Sequence, residues 1–216
     1  MQKLGPGFLR GDRFQTRGSV AAGARLCVRA QAASRAFGGG EASANDAHWR
    51  VERDGFLQLI AEPLVAFDDA FHAGVTNVSL AAGARYLSLD VVTRANAAAH
   101  IALRTRIEDD TRLLAHDACE LKGVLDAPLS CAGTLLFCAG DATEATYGGL
   151  AEICDAVVPD PDVRVGVGVP AYGGIFVRAI GGQPWRVQQT LFRCRTAILH
   201  ALGHGALAAS QINRRC

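Results

Sequence analysis

The chain has 216 residues, half of them apolar, and a formal net charge of +1. The near-neutral balance offers no basic stripe, which argues against nucleic acid as the main partner, and no run approaches the roughly 18 apolar residues of a membrane span. Residues 1–10 lack the apolar core of an export signal, so a cytoplasmic protein with one domain over 1–216 is the expectation.

The opening is rich in turn residues: Gly5, Pro6, Gly7, Gly11 and Asp12 all tolerate or demand turn geometry. Residues 14–20 then read as extended, Ala22-Gly23 reverses the chain, and 25–30 alternate charged and apolar as a half-buried strand does. Gly38-Gly39-Gly40 and residues 41–45 read as a flexible connection. Alternation returns over 47–52, Asp54-Gly55 has the composition of a hairpin turn, and 56–60 follow as a strand. Further strands are expected at 75–80, 86–89, 99–107 and 113–121, with turns at Ala82-Gly83-Ala84 and Asp109-Asp110. The remainder is mixed. Strands are expected at 132–137, 163–169 and 174–180, with a tight connection over 170–173. A short helix over 143–154 has a Thr start. The best helix runs over 183–202, with Pro184 in its first turn, Val187, Leu191, Cys194, Ile198 and Leu202 at 3–4 spacing, and Gly203 as its stop.

The turns at Gly23, Gly55, Gly83 and Asp110 recur about every thirty residues. Val20-Ala21-Ala22-Gly23-Ala24-Arg25-Leu26 and Leu80-Ala81-Ala82-Gly83-Ala84-Arg85-Tyr86 are nearly one sequence. One such unit cannot bury its apolar face alone, whereas stacked units can, which predicts a β-sandwich or a helical β-solenoid. Sequence pattern alone leaves those two open. The seven cysteines are Cys27, Cys119, Cys131, Cys138, Cys154, Cys194 and Cys216. Their odd number, and the lack of a Cys-x-x-Cys, read as free buried thiols rather than a disulfide framework. Cys131 and Cys138, seven apart on one strand, are expected on opposite faces.

No nucleophile elbow, phosphate loop or His-Glu-x-x-His occurs. Gly166-Val167-Gly168 is followed by Pro170, which does not open a dinucleotide-binding helix. His200 and His204 have a spacing that can serve a metal, but Gly203 interrupts the helix between them and they read as histidines at a helix end. His116, Asp117 and Glu120 form the main polar cluster. On a strand, His116 and Glu120 share one face and Asp117 takes the other. The cluster is either a solvated strand face or a place of transient cation contact. Asp12 is expected to hold a turn through its own backbone.

The opening also carries a motif: Gly11-Asp12, then Gly23-Ala24, then Ala32-Ala33-Ser34-Arg35-x-Phe37. In order and spacing it resembles the signature of UreD (also called UreH), the urease accessory family, with Ser34 at the family's Thr, Arg35 at its Lys and Phe37 at its Tyr. Glu62-Pro63-Leu64-Val65-Ala66-Phe67, Gly133-Thr134-Leu135-Leu136, Gly174-x-x-Val177-Arg178, Gly205-Ala206 and Arg214 follow the family pattern to the end of the chain. The resemblance implies a mainly β fold: a β-helix-like stack of short strands and hairpins, two helices in the C-terminal part, and the family's additional N-terminal strands missing. It implies a non-enzymatic scaffold for urease maturation that binds apo-urease and UreF, with the GTPase UreG bringing nickel. No tightly bound cofactor is expected, only transient Ni²⁺ along an internal passage. Asp117 stands where the family carries a Glu associated with that passage, and Ser34, Asp117 and Glu120 are its expected contacts. The alternative is an unrelated β-solenoid scaffold or enzyme, which would need a pair of acids in a groove.

Overall fold

A computed structural model describes residues 7–122, 130–157, 160–170 and 173–204. Gly5, Pro6, Ala171, Tyr172, Gly205, Ala206, Arg214 and Cys216, which the sequence reading singled out, lie outside the described residues.

The first strand, β1 (Arg13–Val20), leads through a tight turn into β2 (Arg25–Arg29). The turn is closed by the Ala24 N–H donating to the Ala21 carbonyl at 3.0 Å, and Gly23 takes φ +67°, where a side chain is disfavoured. The two strands do not pair with each other. Each lies parallel to its counterpart in the next unit: β1 on β4 (Ser43–Val51) and β2 on β5 (Phe56–Ile60). Gly23 and Asp54-Gly55 are therefore corners at which the chain passes from one sheet to another, and the expected hairpins are not formed there. The physical reason lies in where the backbone groups go. The corners bond to one another, Gly23 N–H to the Arg53 carbonyl at 2.9 Å and Asp54 N–H to the Ala82 carbonyl at 3.1 Å, so each coil satisfies the next. The thirty-residue repeat is the coil period of a β-solenoid-like stack.

Short strands β3 (Ser34–Ala36) and β6 (Leu64–Ala66) complete the first two coils, which sequence alternation over three residues is too brief to reveal. The third coil is β7 (Phe71–Leu80) and β8 (Arg85–Arg94), whose first half pairs with β5 and second half with β6. β9 (His100–Glu108) then turns back on β10 (Leu113–Leu121) as a true antiparallel hairpin. There Asp109 Oδ1 accepts from the N–H groups of Thr111 and Arg112 at 2.7 and 2.9 Å. β11 (Cys131–Ala139), β12 (Val163–Gly168) and β13 (Ile175–Gly181) extend the second sheet. The result is a five-stranded sheet, β1-β4-β7-β9-β10, facing an eight-stranded one in the order β12-β13-β11-β8-β5-β2 with β3 and β6 at one end. The segment over 38–45 is a pinned corner rather than a flexible link: Gly39 N–H donates to Asp69 Oδ1 at 2.9 Å and Arg10 Nη1 to the Gly39 carbonyl at 2.6 Å.

Both helices fall where periodicity places them. In α1 (Glu144–Asp155) the Thr143 hydroxyl accepts the Thr146 N–H. In α2 (Pro184–Ala201) the chain stops in a paired C-terminal turn, with His204 N–H on the Leu199 carbonyl, Gly203 N–H on the His200 carbonyl, and Gly203 at φ +73°. They cover the outer face of the larger sheet, where Leu87, Leu89, Val91, Leu135 and Phe137 pack against Val187, Leu191 and Ile198. Tyr147 ties α1 to β11, donating from its hydroxyl to the Ala139 carbonyl at 2.8 Å. Four of the described cysteines are buried, while Cys27 on the sheet's terminal strand is exposed, contrary to the expectation of buried thiols throughout. Cys131 and Cys138 do lie on opposite faces of β11, in different core clusters. Among the described residues no helix is long and apolar enough to cross a membrane.

Candidate functional site

The site follows from the alternation of β8. Leu87, Leu89 and Val91 point to the helices, so Tyr86, Ser88, Asp90 and Val92 point between the sheets. Tyr86 belongs to one apolar cluster of that interior and Val92 to another, with Ser88 and Asp90 between them. The interior is thus apolar at both ends and polar in the middle.

Two cavities meet in this polar band. The smaller, about 20 Å³, is lined by Ser88, Asp90, Thr105, Asp117, Cys119 and Thr134 among others. That is room for roughly one water molecule. The larger, about 140 Å³, reaches from Asp90 and Thr105 past Asn45 and His72 to Ser34 and Glu62. Asp90 and Thr105 line both, so the two cavities form one seam. His72 is held by Ser43, whose Oγ lies 3.0 Å from Nδ1. Glu62 takes a hydrogen bond from Arg29 at 3.1 Å on one oxygen and from Gln188 at 3.0 Å on the other.

At the other end Arg178, on β13, reaches the edge strand of the smaller sheet. Its Nη2 donates to Asp117 Oδ1 and its Nη1 to Thr134 Oγ1, both at 2.6 Å. Thr134 is the direct cross-strand partner of Asp90. Burial pushes the Asp90 carboxyl up to about 6, and the charge of Asp117 adds to the effect. Burial likewise raises the Cys119 thiol, against an opposing pull from Arg178, and raises the Tyr86 phenol strongly. Among the described residues no three His, Cys, Asp or Glu side chains converge into a metal-holding group. Hydroxyl and carboxylate groups thus line the seam from Ser34 to Asp117.

The expected contacts divide. Ser34 lines the larger cavity and Asp117 the smaller, so the structure joins them through Asp90. Glu120 is not in the seam. It lies on the outer face of β10 with His116, paired to His100 Nε2 at 2.8 Å and Lys122 Nζ at 3.2 Å. Those two partners, Lys122 first, hold its carboxyl below the usual range. His116 and Glu120 share one face and Asp117 the other, as strand alternation requires.

Apart from Ser34, the motif residues do not line the seam. Gly11 takes φ +74°. Asp12 Oδ2 accepts the Leu9 N–H at 2.8 Å and so holds its turn. Ala32 and Ala33 form the exposed turn between β2 and β3. The Arg35 carbonyl accepts the Phe8 N–H at 2.6 Å, and Phe37 stacks on Phe67 with ring centroids 5.6 Å apart. His200 and His204 are not brought together as ligands: His204 leans on Phe56 and lies 3.3 Å from Arg85 Nη1. Asp90 and His72 were missed in sequence. The available signal was Tyr86-x-Ser88-x-Asp90-x-Val92, in which two polar residues interrupt the inward face of an otherwise apolar strand.

Comparison with known proteins places the chain in a family. No curated protein matches the chain significantly. The family model described as UreD urease accessory protein matches residues 1–214, essentially its whole length. The chain belongs to the UreD urease accessory protein family.

Proposed function

We propose that this protein is a scaffold in urease maturation, working in the cytoplasm without turnover of its own, and that the seam between its sheets carries Ni²⁺ towards apo-urease. In this reading UreF and apo-urease bind different surfaces, and UreG supplies both the nickel and the nucleotide chemistry. The observation that carries it is the continuity of the seam: Ser34 lines one cavity, Asp117 the other, and Asp90 both. Carboxylates and hydroxyls bind Ni²⁺ briefly and release it, whereas a nest of thiolates would trap it. The one thiol in the smaller cavity, Cys119, is held protonated by burial.

Asp117→Ala tests this. The side chain faces inward, so the variant is expected to co-purify with UreF and urease as the parent does. Nickel content and urease activity are expected to fall several-fold. Full activation at parental nickel content would remove Asp117 from the path, and loss of the complex itself would assign it an interface role.

A further inference from the structure

Building on the nickel reading above, we infer that Arg178 is a displaceable stand-in for the metal: its guanidinium bridges Asp117 and Thr134, two residues that line the smaller cavity, and gives way when a divalent cation arrives.

The geometry supports this at several points. Arg178 bonds the two oxygen groups, one anionic and one hydroxyl, that a passing cation would use, each at 2.6 Å. Asp90, opposite Thr134 in the strand register, lines the same cavity as Asp117, so a second carboxylate lies on the path beyond the pair. A second cation cannot share that position without strong repulsion at such distances. With the seam empty, Arg178 supplies the counter-charge to the half-buried Asp117 carboxylate. Displacement itself is cheap. The side chains of Arg178 and Asp117 retain 23% and 21% of their exposure, so the pair lies at the border of solvent and the guanidinium can swing into water. Exchange of one cation for another makes this position a weak and reversible site, which a passage requires and a storage site does not.

An ion pair that only pins β13 to β10 would behave differently. Removing it would cost stability and add no cation affinity. The full chain is therefore titrated calorimetrically with NiCl₂ as parent, Arg178→Gln, Arg178→Lys and Arg178→Gln/Asp117→Asn. Arg178→Gln is expected to bind Ni²⁺ at least tenfold more tightly than the parent. Arg178→Lys, which keeps the charge but loses the fork, is expected to remain near the parent, and adding Asp117→Asn is expected to erase the gain. A folded Arg178→Gln with parental affinity overturns the inference, as does a gain that survives Asp117→Asn. The parent chain offers a check that needs no variant to fold: phenylglyoxal labelling of Arg178, read by mass spectrometry, is expected to rise several-fold with saturating NiCl₂, and unchanged labelling also overturns the inference. These measurements need no urease. Failure here with a deleterious Asp117→Ala leaves the passage standing and removes only the stand-in, whereas success here with a harmless Asp117→Ala does the reverse.

Discussion

Asp90 shows how one residue can be unfavourable for folding and useful in place. Its carboxyl is raised from 3.8 to about 6, first by burial and then by Asp117. A group whose folded value lies above its unfolded value binds more protons in the native state across that window. Stability is therefore fully supported below about pH 4 and declines as pH rises towards 6, then stays level as far as this group is concerned. Asp90→Asn removes the ionisation. It is expected to raise stability at pH 7.5 by on the order of 1–2 kcal/mol and to flatten the slope between pH 4 and 6. Thermal midpoints of both proteins across pH 4–8 would show it, and parallel profiles would indicate that the carboxyl is solvated after all. The same variant is expected to slow nickel delivery, a local case of function held at a cost in stability.

At the scale of elements, the contact between α2 and the larger sheet depends on a missing side chain. Gly133 lies on β11 beneath the helix, and a Cβ there would come within 2.7 Å of Leu191 Cδ1 and 2.8 Å of Val187 Cγ1. Both side chains are fully buried and cannot move aside without disturbing their neighbours. Gly133→Ala is expected to cost about 1–3 kcal/mol through overpacking. Gly148→Ala in α1 is the control: nothing lies within 4 Å of the new methyl, and higher helix propensity should stabilise by roughly 0.5–1 kcal/mol. Urea midpoints shifting the same way in both would contradict the packing account.

For the whole molecule, each sheet has two edges: among the described residues β1 and β2 end the sheets on one side, and β10 and β12 on the other. On the β2 edge Leu26 and Val28 remain 38% and 39% exposed. Unpaired strand edges with apolar side chains invite pairing with other chains. The protein by itself is expected to self-associate, and Leu26→Lys/Val28→Lys to shift it towards monomer. Light scattering after size exclusion would decide, with equal masses for both proteins sinking the idea. Co-expression with UreF is expected to raise the soluble fraction if the partner covers exposed surface.

The sequence by itself determined the periodic parts of this protein. Both helices, most strands, the coil repeat and the turn at Asp12 are local matters of spacing, capping and glycine placement, and they stand where the residues put them. The opening motif likewise carried the family. Tertiary structure decided whom each strand pairs with. A Gly turn between two alternating segments looks the same whether it closes a hairpin, as at Asp109, or turns a corner, as at Gly23, because the choice depends on partners a whole coil away. The site was decided at the same level. Asp117 and Arg178 are 61 residues apart in sequence, and Asp90 shares a cavity with Asp117 only because β8, β11 and β13 lie side by side in one sheet and β10 belongs to the sheet across the interior. Alternation tells which side of a strand a residue takes; what waits on that side is set by the fold.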